Sequence, residues 1–144
     1  MKYAGTYSIY KKSAAAQFTL LPVRRDENGR VTKNGAVLAE FSKAISEKTY
    51  DWKGKITFAF GMNDLSQFFN SDNPGKFIHK TDTATKILEF TPGEGRYEGT
   101  FMLRISESGE TKNSVSISLS AGEFVILSRL FAYAIPKMIA WDID

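Results

Sequence analysis

Residues 120–140, SAGEFVILSRLFAYAIPKMIA, constrain this chain more than any other stretch. Ser120 and Glu123 form a capping box, in which the serine takes the N3 amide and the glutamate reaches back to the cap amide. Phe124, Leu127, Phe131, Ala134, Ile135 and Met138 then recur at three-to-four-residue spacing. Ile126, Leu130 and Tyr133 widen that stripe beyond what one packing partner covers. A helix this apolar must be buried on two sides. Either it crosses a sheet and meets another chain, or it is central to the core. Pro136 is expected to kink or interrupt it and leave Lys137–Trp141 as a separate turn.

The rest of the chain reads mainly as strands. Residues 3–10, 14–23, 35–41 and 55–61 form a first group, with Asn28-Gly29 marking a turn in DENGR. Ile56, Phe58 and Phe60 alternate with Lys55, Thr57 and Ala59. Residues 62–70 read as a short helix capped by Asn63 or Asp64, with Leu65, Phe68 and Phe69 on one face, followed by a turn at 71–75. Residues 77–80, 85–90, 96–106 and 113–119 form a second group, with a tight connection at 91–95. Val115, Ile117 and Leu119 alternate with serines, so one face of that strand is wet or thinly covered. The order strand–strand–strand–strand–helix occurs twice, at 3–70 and 77–140. That is an α+β domain of two four-stranded antiparallel units, one domain over residues 1–144.

Composition removes several function classes. The chain has no cysteine, which excludes disulfide scaffolds, cysteine nucleophiles and thiolate metal sites. It has one histidine, His79, read as a surface or packed residue. No phosphate loop, dinucleotide fingerprint, zinc-protease motif or calcium loop is present, and no paired carboxylates flank apolar strand positions. No catalytic residue, metal or cofactor is expected. No apolar run reaches membrane-spanning length, so no membrane partner is expected. MKYAGTYSIYKK lacks a signal-peptide core, so the expected location is the cytoplasm of a bacterium or of a phage-infected cell; an organelle is the alternative if a leader was removed.

Charge is uneven. Residues 1–55 carry 11 Lys/Arg against 5 Asp/Glu, and residues 56–144 carry 8 against 11. A basic N-terminal half fits a polyanion-facing surface, and equally a solvated face of uneven charge. Aromatics lie among these cations: Tyr7, Tyr10, Lys11 and Lys12 at the end of the first strand, then Lys48, Tyr50, Trp52, Lys53 and Lys55. Aromatic faces stack on any base and lysines track phosphates, and only single strands expose base faces. Core tyrosines and tryptophans at strand ends give the same pattern.

Three ordered blocks then resemble the Whirly family of single-stranded DNA-binding proteins, over about residues 7–142. Tyr7-Ser8-Ile9-Tyr10-Lys11 with Ala14-Ala15 is similar to its Y-S-x-Y-K-G-K-A-A-L segment. Gly35 to Phe41, Ala44-Ile45 and Tyr50-Asp51-Trp52 match its G…F-x-x-A-I…Y-D-W stretch. Glu123-Phe124 to Phe131, Ile135-Pro136 and Trp141-Asp142 match its E-F…P…G-W-D end. Two departures stand out: Lys11-Lys12-Ser13 replaces K-G-K, a segment the family ties to DNA binding and to higher assembly of tetramers, and Ala140 replaces a glycine.

The resemblance implies two four-stranded antiparallel sheets packed roughly crosswise, a fold related to the positive cofactor four coactivator and to trypanosome RNA-binding proteins. It also implies a homotetramer built through the long helix, with Phe124, Leu127, Phe131, Ile135 and Met138 at the oligomer interface. Single-stranded DNA would lie across the sheets with little sequence preference. Lys11, Lys12, Lys53 and Lys55 would hold phosphates; Tyr7, Tyr10, Phe41, Tyr50 and Trp52 would stack or pocket bases. Tyr50-Asp51-Trp52 reads alternatively as a structural corner with the indole buried and Asp51 capping the turn. The expected role is strand protection in replication, recombination or repair. An RNA-binding or annealing protein, a fold-retaining assembly protein and a duplex-reading transcription regulator are the alternatives.

Overall fold

Strands form where large apolar residues alternate with polar ones, and the alternation sorts two sheets around one core. The computed structural model describes residues 5–70 and 75–141. The first sheet contains β1 (Thr6–Tyr10), β2 (Ala14–Leu21), β5 (Ala36–Ser46), β6 (Thr49–Tyr50) and β7 (Ile56–Phe60). Its order is β1-β2-β5, with β6 and β7 both pairing along the far side of β5, all antiparallel. β3 (Arg24–Arg25) and β4 (Val31–Lys33) form a separate two-stranded ribbon. The second sheet is β11 (Lys112–Leu119), β10 (Phe101–Ser108), β9 (Thr85–Pro92) and β8 (Lys76–Lys80), also antiparallel.

Helix α1 (Met62–Phe69) follows the first sheet and α2 (Ala121–Met138) follows the second. The architecture is α+β, with a strand group and closing helix occurring twice; the first sheet has five strands rather than the expected four, because the two-residue β6 adds beside β7 on β5. Between the sheets and α2 lies a core dense in phenylalanine: Phe18, Phe41, Phe58, Phe60, Phe77, Phe90 and Phe131 are all buried. Phe131 of α2 meets Phe18, Phe60 and Phe68, with centroids 6.4, 4.9 and 5.0 Å away. One helix residue thus ties both halves of the chain to the core.

Several expectations change. The capping box at Ser120 forms as read, with Glu123 N donating to Ser120 Oγ at 3.1 Å and Ser120 N to Glu123 Oε1 at 2.8 Å. Pro136 does not interrupt α2, which runs on to Met138. Its missing N–H frees only the Ala132 carbonyl, on an exposed position, while Phe131, Ala134 and Met138 anchor the helix around it. The residues at 96–99 are not strand: a 3-10 turn, Gly95–Tyr97, precedes β10. There Arg96 lies over the Tyr97 ring at 4.9 Å and donates to its hydroxyl at 2.8 Å.

At α1 the cap is Gly61, not Asn63 or Asp64; Asp64 stands at N3 and accepts the Gly61 amide at 2.8 Å. Phe69 is exposed, so only Leu65 and Phe68 carry that helix's buried face. The turn expected at 71–75 lies largely outside the described residues. His79 is a packing residue, stacked on Phe58 at 4.0 Å with Nε2 2.9 Å from Asp64 Oδ2.

Candidate nucleic-acid interface

Because side chains alternate along a strand, β1, β2 and β5 turn Tyr7, Ile9, Phe18, Ala39 and Phe41 toward the core and their neighbours to the opposite face, where Ala15 and Ser42 are nevertheless buried. The outward rows are Tyr10–Ala15–Ser42, then Ser8–Gln17–Glu40–Thr57, then Thr6–Thr19–Leu38–Ala59. Beyond the first row, Ala44 pairs with Tyr50. The aromatic residues gather at this one end: Tyr10 and Tyr50 lie 5.6 Å apart, and Tyr50 and Trp52 6.4 Å apart. Tyr10 is 59% exposed, and Tyr50 and Trp52 are half-buried.

Local hydrogen bonding sets the rings in place. Lys11 N bonds Ala14 O at 2.9 Å, closing the β1–β2 turn. The Tyr50 hydroxyl donates to Lys11 O at 2.6 Å, pinning that turn to β6. Asp51 caps the Trp52–Gly54 turn through Oδ1, which accepts the Gly54 amide at 3.1 Å. The corner reading of Tyr50-Asp51-Trp52 therefore holds for Asp51, while the indole keeps part of its surface open. Ser42, in the row of Tyr10, has a buried hydroxyl without a partner among the described residues.

Of the four candidate lysines, two are paired. Lys11 Nζ lies 2.7 Å from Glu123 Oε1, and Lys55 Nζ is bound to Glu40. Lys12 and Lys53 are exposed and form no ion pair among the described residues. Burial raises the Glu123 carboxyl, but hydrogen bonds from Lys11 and from Ser120, with the Lys11 charge, outweigh it and hold the group below the usual carboxylate range. Burial and the neighbouring Glu123 charge push the Tyr7 phenol up.

Two of the expected site residues lie elsewhere. Phe41 is completely buried beside Ala16 and Ile56 in register and meets Phe18 edge-on at 6.1 Å. It is a core residue and cannot stack a base. Tyr7 faces inward toward Phe18 at 6.5 Å, away from the Tyr10 end. The helix residues also divide differently from the expected interface. Leu127, Phe131 and Met138 are wholly inside this chain's core, and Phe124 and Ile135 pack against it. The apolar surface left open on α2 is Val125, Ile126, Leu130 and Tyr133. The 3.6-residue period marked a stripe, but the stripe closest to the heptad ideal faces inward and the widening residues face out. Ile126, Leu130 and Tyr133, with Tyr7, Leu20 and Val37 of the first sheet, line a groove of about 630 Å³.

The model of the family described as "Whirly transcription factor" matches residues 9–130. A chloroplastic single-stranded DNA-binding protein, WHY1 of Zea mays, is 30% identical over 95% of this chain and 57% of its own length. A mitochondrial one, WHY2 of Arabidopsis thaliana, is 23% identical over 94% of this chain and 63% of its own length. The chain therefore spans less than two thirds of these curated relatives. The crystal structure of Arabidopsis thaliana WHY3 superposes with a TM-score of 0.85, at 24% identity, over 98% of this chain and 92% of that one. A guide-RNA-binding protein complex bound to its RNA shares the fold more distantly, at TM-score 0.55 and 9% identity over 93% and 91%. Relatives in plant chloroplasts and mitochondria overturn the expectation of a bacterial or phage-infected cytoplasm. The family match extends through the aromatic corner and most of α2, and the chain belongs to the Whirly family.

Proposed function

We propose that this chain is a sequence-tolerant single-stranded DNA-binding protein that acts as a homotetramer and protects or organises strands during replication, recombination or repair. The observation that carries the reading is the outward cluster of Tyr10, Tyr50 and Trp52, with Lys12 and Lys53 next in sequence and in no ion pair among the described residues. Each stacked base contributes about 1–3 kcal/mol, and each phosphate held releases counterions. Rings half set into a sheet present flat faces to unstacked bases, which a duplex hides. The names of the relatives support the same partner. Lys11 and Lys55, bound to Glu123 and Glu40, set the geometry of the site and contribute less charge to a phosphate than their number suggests.

For the assembly, the open face of α2 and the groove beside it supply an apolar surface that a second copy would cover. Val125, Ile126, Leu130 and Tyr133 replace Leu127, Phe131 and Met138 as the proposed contact set.

A competition assay tests the ligand. Labelled oligo-dT bound to the full chain is challenged with unlabelled oligo-dT and oligo-U. Stronger competition by oligo-dT is expected. Stronger competition by oligo-U would move the assignment to RNA, the ligand of the distant fold neighbour.

A further inference from the structure

The basic bias of the N-terminal half is not used up by the aromatic corner. Four of its cations, Arg24, Arg25, Arg30 and Lys33, stand on the β3–β4 ribbon, and every residue from 24 to 33 is exposed. A two-stranded ribbon with no buried side chain has little reason to stay folded. This one is held by its turn: Asp26 N donates to Arg30 O at 2.9 Å, and Asp26 Oδ1 accepts the amides of Asn28 and Arg30 at 2.9 and 3.0 Å. Gly29, at φ 83°, takes the left-handed position that closes it.

Within the ribbon, Arg24 is directly opposite Lys33. Like charges across a pair destabilise a ribbon. Among the described residues, neither side chain has an acidic partner, nor does Arg30. Arg25 donates to Gly29 O at 2.8 Å, inside the turn. The acidic Asp26 is committed to the turn, which leaves Glu27 as the ribbon's one free carboxylate.

The root of the ribbon is fixed to α2. Gly35 N donates to Met138 O at 2.8 Å, and Trp141 follows three residues later, the residue 81% exposed and its amide bonded to Pro136 O at 2.9 Å. The exposed Trp141 thus lies three residues beyond the helix residue bonded to Gly35, and Lys33 lies two residues before Gly35. The ribbon root is at the opposite end of the first sheet from Tyr10: β2 runs from Ala15, in the Tyr10 row, to Leu21, about 20 Å at the rise of a strand.

We propose that the β3–β4 ribbon, with Trp141 at its root, is a second contact for single-stranded nucleic acid, in which Arg24, Arg30 and Lys33 hold phosphates and Trp141 stacks a base. The inference rests on the nucleic-acid reading above and extends the strand's track along the outward rows of the first sheet. The cross-strand repulsion of Arg24 and Lys33 is relieved when a phosphate sits between them.

The test is fluorescence anisotropy of labelled 32-nucleotide oligo-dT with the full chain, over a salt series. The variant Arg24→Ala/Arg30→Ala/Lys33→Ala should bind at least tenfold more weakly at low salt. Its log–log salt slope should be shallower by about two, at roughly 0.7 per phosphate on a single strand. Trp141→Ala should weaken binding at least fivefold and leave the slope unchanged. A control, Lys76→Ala/Lys80→Ala/Lys112→Ala, removes equal charge from exposed positions of the second sheet. Circular dichroism confirms that each variant keeps the parent fold. Parental affinity and slope in the ribbon variant, or the same loss in the control, would overturn the inference while leaving the aromatic corner standing. No binding by the parent chain would instead remove the nucleic-acid reading itself.

Discussion

Glu123 performs three tasks with one carboxylate. It completes the capping box of α2, binds Lys11 at 2.7 Å and sets the charge beside Tyr7. Its carboxyl is lower in the folded protein than in the unfolded chain, so its contribution is present above the unfolded value and is lost as pH falls through the folded one. Glu123→Gln keeps an acceptor for the cap amide and removes the charge. The variant should melt below the parent near neutral pH, by about 1 kcal/mol or less because the group is part-exposed and screened. The gap should close as pH falls below the usual carboxylate range. Thermal unfolding at several pH values checks this, and a constant gap would show that the lost packing, not the charge, was responsible. The Lys11 partner in this pair also shows why counting lysines overstated the phosphate-binding set. A sequence shows cations, but their partners lie 112 residues away for Lys11 and 15 for Lys55.

At the scale of elements, the chain entering β5 passes tightly against the end of α2. Gly35 bonds Met138 O, and a Cβ built on Gly35 would stand 2.4 Å from Leu21 O and 3.3 Å from the Met138 Cα. Both neighbours are backbone, so neither moves aside cheaply. Gly35→Ala should therefore destabilise the fold by about 1–3 kcal/mol, the range for overpacking at a closed site. Urea unfolding at equilibrium measures it; an unchanged midpoint would mean that the ribbon root yields freely. The capping box, the Asn28-Gly29 turn and most strands were legible because each depends on neighbours in sequence, whereas the tight seat of Gly35 depends on Leu21 and Met138. The inward turn of Phe41 was not, because its row in β5 is set by pairing with β2 and β7. Pro136 was misread for a related reason: the local penalty is real, but burial of Phe131, Ala134 and Met138 outweighs it.

For the whole molecule, fold and site were legible to different depths. Two strand groups with closing helices follow from periodicity, whereas the corner of Tyr10, Tyr50 and Trp52 requires three segments to converge, and the motif resemblance supplied that convergence. The helix shows the limit most clearly. Its excess apolar surface was readable, but which residues face out depends on where the sheets sit. If the open face of α2 joins copies of the chain, Ile126→Glu/Tyr133→Glu should convert the assembly to monomers with an unchanged fold. Light scattering after size exclusion reads the mass, and parental mass in the variant would exclude this face as the contact.

The central claim is that unstacked bases meet the Tyr10–Tyr50–Trp52 corner while the lysines beside it neutralise phosphates. The direct measurement is a titration of the full chain with a 32-nucleotide single strand and with the matching duplex, followed by tryptophan fluorescence across a salt series. We expect quenching by the single strand, weaker binding of the duplex, and an affinity that falls linearly with salt on logarithmic axes. Equal affinity for the duplex, or binding indifferent to salt, would contradict the account.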